Sequence, residues 1–263
     1  MNLDLAKQVL AISRVAGERI MEFYRASFTV TQKDDHSPLT QADMAAHHYI
    51  TAALKKLTPE IPILSEEAAD IPYAVRRLWT RHWLVDPLDG TREFIKRNDD
   101  FTVNIALVEN GEPVLGVVHI PALDVSYYAA RSLGAFEIRD GQERRLQVRP
   151  VPARPTFVVS RSHQDQALKI FLARLPEHDA ISRGSALKIC LVASAEADLY
   201  PRTGPTSEWD TAAGHCVVDE AGGKILRLPD LAPLHYNEKD SLLNPGFVVI
   251  GDQSYGWERY LKA

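Results

Sequence analysis

Two carboxylates three residues apart, Asp86 and Asp89, end the apolar run Trp83-Leu84-Val85, and Gly90 follows at once. A buried strand does not finish in paired acids without compensation, because an unpaired buried charge costs several kcal/mol or more. The usual compensation is a bound cation or a set of backbone donors. Leu88 offers a carbonyl between the two acids, and Thr91 adds a hydroxyl. Gly90 permits a backbone conformation that a Cβ resists, and the N–H groups after it are placed to open a helix and face an anion. The same residues also suit a turn with an Asx cap. Alone, the stretch supports either an oxygen-rich cation site beside a phosphate cradle or a plain turn.

Acids end two further elements. Ile61–Ser65 reads as a short strand running into Glu66-Glu67, and Asp210 opens a helix whose Ala212, Ala213 and Gly214 permit close packing. Each feature is ordinary by itself, since Glu pairs at loop starts are solvated and Asp caps helices. Together, Glu66, Asp86, Asp89 and Asp210 would repel one another unless hard cations neutralised them. An all-oxygen donor set favours Mg²⁺, and Mg²⁺ that binds phosphate oxygens points to phosphoryl transfer to water. Asp43 falls on the inward face of a helix, in line with His47, Ile50, Leu54 and Leu57. There it is either a dipole-stabilised structural carboxylate or a member of the polar centre. His47-His48 does not read as a metal pair, because adjacent helical residues diverge by about 100°.

The elements that must carry these groups follow from periodicity. Helices are expected over 3–24 and 39–57, the second capped by Thr40, with a strand over 28–33 and a turn cluster at 34–38 between them. Strands are expected over 61–65, the 83–89 stretch, 101–109, 113–120, 124–130, 133–138 and 145–149. Pro150, Pro152 and Pro155 then mark a boundary. Beyond it, strand and helix alternate: strands over 156–160, 179–182, 197–200, 224–226 and 247–250, helices over 164–175, 185–193 and 209–220, and a last helix. The expectation is an α+β N-terminal half, 1–150, carrying Glu66, Asp86 and Asp89, and an α/β C-terminal half, 151–263, carrying Asp210.

The bulk properties narrow the function classes. The chain has 263 residues and a formal net charge of −5, with no long basic run, which argues against a nucleic-acid polymer as partner. Cys190 and Cys216 sit in apolar surroundings without a CxxC and read as buried thiols in a reducing compartment. The N-terminus lacks the features of a signal peptide. No apolar run approaches the roughly 20 residues that span a bilayer. The expectation is a cytoplasmic protein without a transmembrane segment, with peripheral association at the inner membrane and the oligomeric state left open.

Leu64-Ser65-Glu66-Glu67, Asp86-Pro87-Leu88-Asp89-Gly90-Thr91 and Trp209-Asp210-Thr211-Ala212-Ala213-Gly214 resemble, in order and spacing, the three signatures of the inositol monophosphatase superfamily, over nearly the whole chain. Within it, Thr91–Arg97, Ser160-Arg161-Ser162-His163 and Gly184-Ser185-Ala186-Leu187-Lys188 look most like CysQ-type 3'(2'),5'-bisphosphate nucleotidases. The resemblance implies a layered α/β/α/β/α sandwich of the sugar-phosphatase type and a lithium-sensitive, Mg²⁺-dependent phosphatase with two or more ions. It implies Glu66, Asp86, Asp89, Asp210 and the Leu88 carbonyl as metal ligands, with Glu67 behind them. Asp43 and Thr91 would orient the attacking water, with Glu66 also catalytic. The substrate would meet Glu66, Leu88, Asp89, Gly90, Thr91 and Asp210 at the reacting phosphate, and Ser162, His163, Gly184, Ser185, Lys188 and Arg202 along the nucleotide. The implied reaction removes the 3'-phosphate of adenosine 3',5'-bisphosphate, with 3'-phosphoadenylyl sulfate as a second substrate and a role in sulfate assimilation. The rivals are an inositol or sugar monophosphatase with the same metal chemistry, and a non-catalytic nucleotide sensor.

Overall fold

Apolar residues at helical spacing give each of the first two helices one buried face. Helix α1 (Leu3–Arg25) buries Val9, Ala16 and Ile20, and α2 (Pro38–Leu57) buries Ala42, Ala46, Ile50 and Leu54. The computed structural model describes residues 3–26, 38–161 and 166–261. The strand expected over 28–33, the turn cluster from Asp34, and Ser162 and His163 lie outside the described residues. Helix α2 begins at Pro38, a residue suited to the first helical position, so Thr40 lies inside the first turn and does not cap it.

The chain then runs through β1 (Ile63–Ser65), α3 (Tyr73–Arg76), β2 (Arg81–Asp89), α4 (Thr91–Lys96), β3 (Thr102–Glu109), β4 (Glu112–Ile120), β5 (Val125–Ala130), β6 (Gly134–Arg139) and β7 (Gln142–Arg145). These strands form a seven-stranded sheet in sequence order. β1 pairs parallel with β2 and the remaining neighbours are antiparallel. The strand expected over 145–149 is instead β7, because Asp140-Gly141 makes a two-residue hairpin turn that pairs Arg139 with Gln142. The second sheet takes β8 (Thr156–Ser160), β9 (Asp179–Arg183), β10 (Leu199–Arg202), β11 (Lys224–Arg227) and β12 (Phe247–Ile250), in the order β11-β12-β10-β8-β9. Helices α5 (Gln166–Leu172), α6 (Leu187–Ala193), α7 (Glu208–Glu220) and α8 (Glu258–Leu261) connect or follow these strands.

Three cores set the layers. Val103, Ile105 and Leu107 of β3 pack with α1 and α2, while Ala106 and Val108 of the same strand face α6 and α7. β3 is therefore apolar on both faces, as a strand covered on both sides must be. The other side of α6 and α7 meets Val158, Tyr200, Phe247 and Val249 of the second sheet, in the same core. Phe157, Leu199, Val248 and Ile250 pack outward against Trp257 and Leu261. The result is α/β/α/β/α, with α6 and α7 as the middle layer. Both cysteines are free and buried. Among the described residues no helix is long and apolar enough to cross a membrane.

Candidate active site

The parallel pairing of β1 with β2 sets Ser65 opposite Val85. The next residue along each segment is an acid, so Glu66, just past the end of β1, and Asp86, still within β2, come side by side where the β1–β2 pairing ends. Glu66 opens a single 3-10 turn, Glu66–Ala68, and is exposed, as is Glu67. Asp86 is 1% exposed. Residues three apart on a regular strand point to opposite faces, which would separate Asp86 from Asp89. The pairing with β3 prevents this: Asp86 faces Asn104 and Asp89 faces Thr102, so three steps on β2 oppose two on β3. That one-residue bulge re-aims the end of the strand, and the Leu88 N–H donates to Asp86 Oδ1 at 3.0 Å within it.

Asp210 arrives from the middle layer. Ser207 is the N-cap of α7, and its N–H donates to Asp210 Oδ2 at 2.8 Å, closing a capping box. Asp210 is thus both a helix-capping residue and a neighbour of the β2 acids. One carboxylate oxygen from each of Asp86, Asp89 and Asp210 lies within 4.8 Å of the others. The helix is seated by a close approach, since a Cβ on Gly116 of β4 would lie 2.2 Å from the Ala213 carbonyl oxygen.

The electrostatics follow from this crowding. Burial first, then the like charges of Glu66, Asp89, Asp210 and Asp43, raises the Asp86 carboxyl well above its ordinary range. Burial, Asp89 and Glu66 push Asp210 up to about 7, against the Ser207 N–H bond and Lys188. Asp89 is also raised, chiefly by burial, while Lys188 and the Ala186 N–H hold it down. Five carboxylates therefore share one field. Crowded, desolvated oxygen donors of this kind fit a hard divalent cation. Asp43 joins them from α2, where it is buried, and its helix is tied to β1 by the 2.9 Å contact of His47 Nδ1 with Ser65 Oγ.

A cleft of about 270 Å³ opens from the acids. Asp89, Gly90, Thr91 and Asp210 line it on the acid side, and Gly184, Ser185, Lys188 and Arg202 are among the other lining residues, with Lys188 in the field of Asp89. Gly90 has φ of +92°, in the region that favours glycine, and it caps α4, whose first residue is Thr91. Lys188 and Arg202 are only 6% and 9% exposed, so neither is a solvated surface cation. Lys188 Nζ donates to the Ser185 carbonyl at 2.5 Å and lies 5.4 Å from the Tyr200 ring centroid. Burial pulls its pKa down to about 8, with Asp89 opposing. Arg202 ends β10, two residues beyond the strand end expected from sequence, and its Nε and Nη2 donate to the Gly204 and Pro205 carbonyls.

The model of the inositol monophosphatase family matches residues 2–249. The chain belongs to the inositol monophosphatase family. It is 51% identical over 249 residues to the 3'(2'),5'-bisphosphate nucleotidase CysQ of Salmonella typhimurium, covering 93% of this chain and 99% of that one. Against the protein of the same description from Escherichia coli K12 the identity is 51% over 246 residues, covering 92% and 98%. The crystal structure of CysQ from Bacteroides thetaiotaomicron superposes with a TM-score of 0.87 at 40% identity, over 96% of this chain and 100% of that one. An inositol monophosphatase from Zymomonas mobilis gives 0.78 at 27%, over 95% and 93%.

Several groups around this cleft carry little or no site signal in the sequence. Tyr200, Thr206 and Thr211 line the cleft. Asn244 Nδ2 donates to the Ser207 carbonyl at 2.8 Å and to Thr211 Oγ1 at 3.0 Å, steadying the start of α7. Thr211 follows Asp210 directly and its hydroxyl was a local signal. Asn244 had none, because its partners lie more than thirty residues away.

Proposed function

We propose that this chain hydrolyses the 3'-phosphate of adenosine 3',5'-bisphosphate to give AMP and phosphate, and acts on 3'-phosphoadenylyl sulfate as a second substrate. The carrying observation is the cleft with an acid cluster at one end and two buried cations, Lys188 and Arg202, along its wall. A substrate with two separated phosphates brings an anion to the acid-held cations and another to Lys188 and Arg202, whereas an inositol monophosphate brings no second phosphate to these two side chains. The relatives of about 51% identity described as bisphosphate nucleotidases support the same reading. The role that follows is recycling of these nucleotides in sulfate assimilation.

In this reading Glu66, Asp86, Asp89, Asp210 and the Leu88 carbonyl hold Mg²⁺, in two or more sites. Bound there, the cations would offset the mutual repulsion of the acids and would supply the acidity that makes a water nucleophilic near neutral pH. Asp43 accepts from the Thr91 hydroxyl, which orients that water in line with the leaving oxygen. The N–H groups of Gly90 and Thr91, at the start of α4, hold the oxygens of the reacting phosphate. Lys188 and Arg202 hold the second phosphate, and Gly184 and Ser185 form the wall between. Ser162 and His163 are assigned to the nucleoside. In this division of labour residues 1–150 supply most of the metal ligands, and residues 151–263 supply Asp210 and much of the substrate wall.

Phosphate release from adenosine 3',5'-bisphosphate and from inositol 1-phosphate, each with Mg²⁺ and with EDTA, tests the reading. Faster turnover of the nucleotide, abolished by EDTA, is expected. Equal or better turnover of the inositol ester would overturn the substrate, and binding without any turnover would leave a sensor. Asp86→Asn should lower kcat by at least about a hundredfold, the order of effect of losing an electrostatic stabiliser of a transition state.

A further inference from the structure

Asp100 is buried on the turn between α4 and β3, behind the cleft wall formed by Gly184 and Ser185. Its Oδ2 accepts the Gly184 N–H at 2.8 Å and pairs with Arg161 Nη2 at 3.0 Å. Its main-chain carbonyl accepts the Ser185 hydroxyl. Two residues beyond Gly184, the Ala186 N–H donates to Asp89 Oδ2 at 2.7 Å. Two carboxylates from the first half of the chain thus grip alternate N–H groups of one loop in the second half. Ser185 sits between them at φ +42°, a backbone conformation uncommon for any residue but glycine, so the loop is held in place by its bonds. The same loop carries the Ser185 carbonyl that receives Lys188 Nζ.

We infer that Asp100 is a positioning residue for specificity: it fixes the distance between the acid end of the cleft and the Lys188 end, and so favours substrates with two phosphates over those with one. The inference rests on the proposed nucleotidase reading. Without the Asp100 carboxylate, Ala186 stays on Asp89 and the Ser185 hydroxyl on the main-chain carbonyl of residue 100. Gly184 loses its acceptor and Arg161 its ion-pair partner, so the Gly184–Ser185 wall shifts and with it the Ser185 carbonyl that receives Lys188 Nζ. A monophosphate needs only the acid end and does not register that movement. A bisphosphate must meet both ends at once and does.

The test compares wild type with Asp100→Ala, Asp100→Glu and Asp100→Asn on adenosine 3',5'-bisphosphate and adenosine 3'-monophosphate, with melting temperatures taken alongside. Asp100→Ala should raise KM for the bisphosphate at least tenfold, leaving its kcat and both constants for the monophosphate within threefold. Asp100→Glu, which keeps the charge but pushes the loop by a methylene, should lower the same preference, and it carries the test if the alanine variant does not fold. Asp100→Asn keeps an oxygen acceptor for Gly184 and should stay within threefold on both substrates. Parallel losses on the two substrates, or an unchanged bisphosphate KM, would overturn the inference. If wild type hydrolyses neither nucleotide, the functional reading fails separately, and calorimetric binding of AMP and inorganic phosphate decides. A tenfold weaker AMP with unchanged phosphate upholds the positioning role, and parallel change or none ends it.

Discussion

At the scale of single residues, the informative group is a buried lysine. Lys188 would be costly in the interior without partners, and the Ser185 carbonyl, the Tyr200 face and the field of Asp89 supply them. Burial lowers its pKa to about 8, so the ammonium is present at neutral pH and is lost as pH rises through 8. KM for the bisphosphate should therefore rise above pH 8 in wild type. Lys188→Met should show a KM raised roughly tenfold to a hundredfold over wild type below pH 8, with that step gone and the two proteins converging above it, as expected for losing a hydrogen bond to a charged group worth about 1.5–3 kcal/mol. A pH profile of KM for the two proteins checks this. The sequence shows a lysine one turn past Gly184-Ser185. Its burial depends on α6 lying between two sheets, which no local pattern near Lys188 reports.

At the scale of elements, the site depends on how closely α7 can approach β4. Gly116 has no room for a side chain, with Ala213 O at 2.2 Å and Cys216 Cβ at 2.9 Å from an added Cβ. Gly116→Ala should push the helix outward and destabilise by about 1–3 kcal/mol, as overpacking does. Because α7 carries Asp210 toward Asp86 and Asp89, the Mg²⁺ concentration for half activity should rise in the same variant. Thermal melting and a Mg²⁺ titration read the two effects. The small residues Ala212, Ala213 and Gly214 made close packing of this helix readable in advance. The strand on which Ala213 lands, and the glycine that admits it, are about a hundred residues distant and were not readable. The β2 bulge is the same kind of fact, because it exists only in the register between β2 and β3.

At the scale of the whole molecule, burial sets how stability responds to pH. His82, His119 and His215 are each pushed down to about 4, chiefly by burial. Between their ordinary value near 6.5 and about 4, the unfolded chain binds protons that the folded chain refuses. Stability therefore falls as pH falls through that window, by about 1.4 kcal/mol per pH unit for each histidine. The site acids act in the opposite sense: Asp210, near 7, keeps its proton in the fold where the unfolded carboxyl has lost it, so this contribution declines as pH rises toward 7. A cation that replaces the proton restores it. Melting temperature should rise more on adding Mg²⁺ at pH 8 than at pH 6. In saturating Mg²⁺ it should drop between pH 6.5 and pH 5, and a flat profile there would contradict the histidine account.

The sequence by itself determined which atoms were available for chemistry. Acids at the ends of apolar runs, a glycine before a helix start and a hydroxyl beside it are local facts, and they pointed to cations and phosphate before any coordinates. Strand and helix alternation likewise argued for α/β layering in the second half, because amphipathic period is a property of neighbours along the chain, while the five-layer sandwich was implied by the family resemblance. Only the tertiary structure decided that Asp86 and Asp89 share a face, since regular strand geometry would have parted them. It also decided that Asp100 grips a loop 84 residues away. The reason is the same in each case: a side chain's type is written locally, whereas its partners and its access to water are fixed by which distant segments the packing of two sheets and a shared helical layer brings against it.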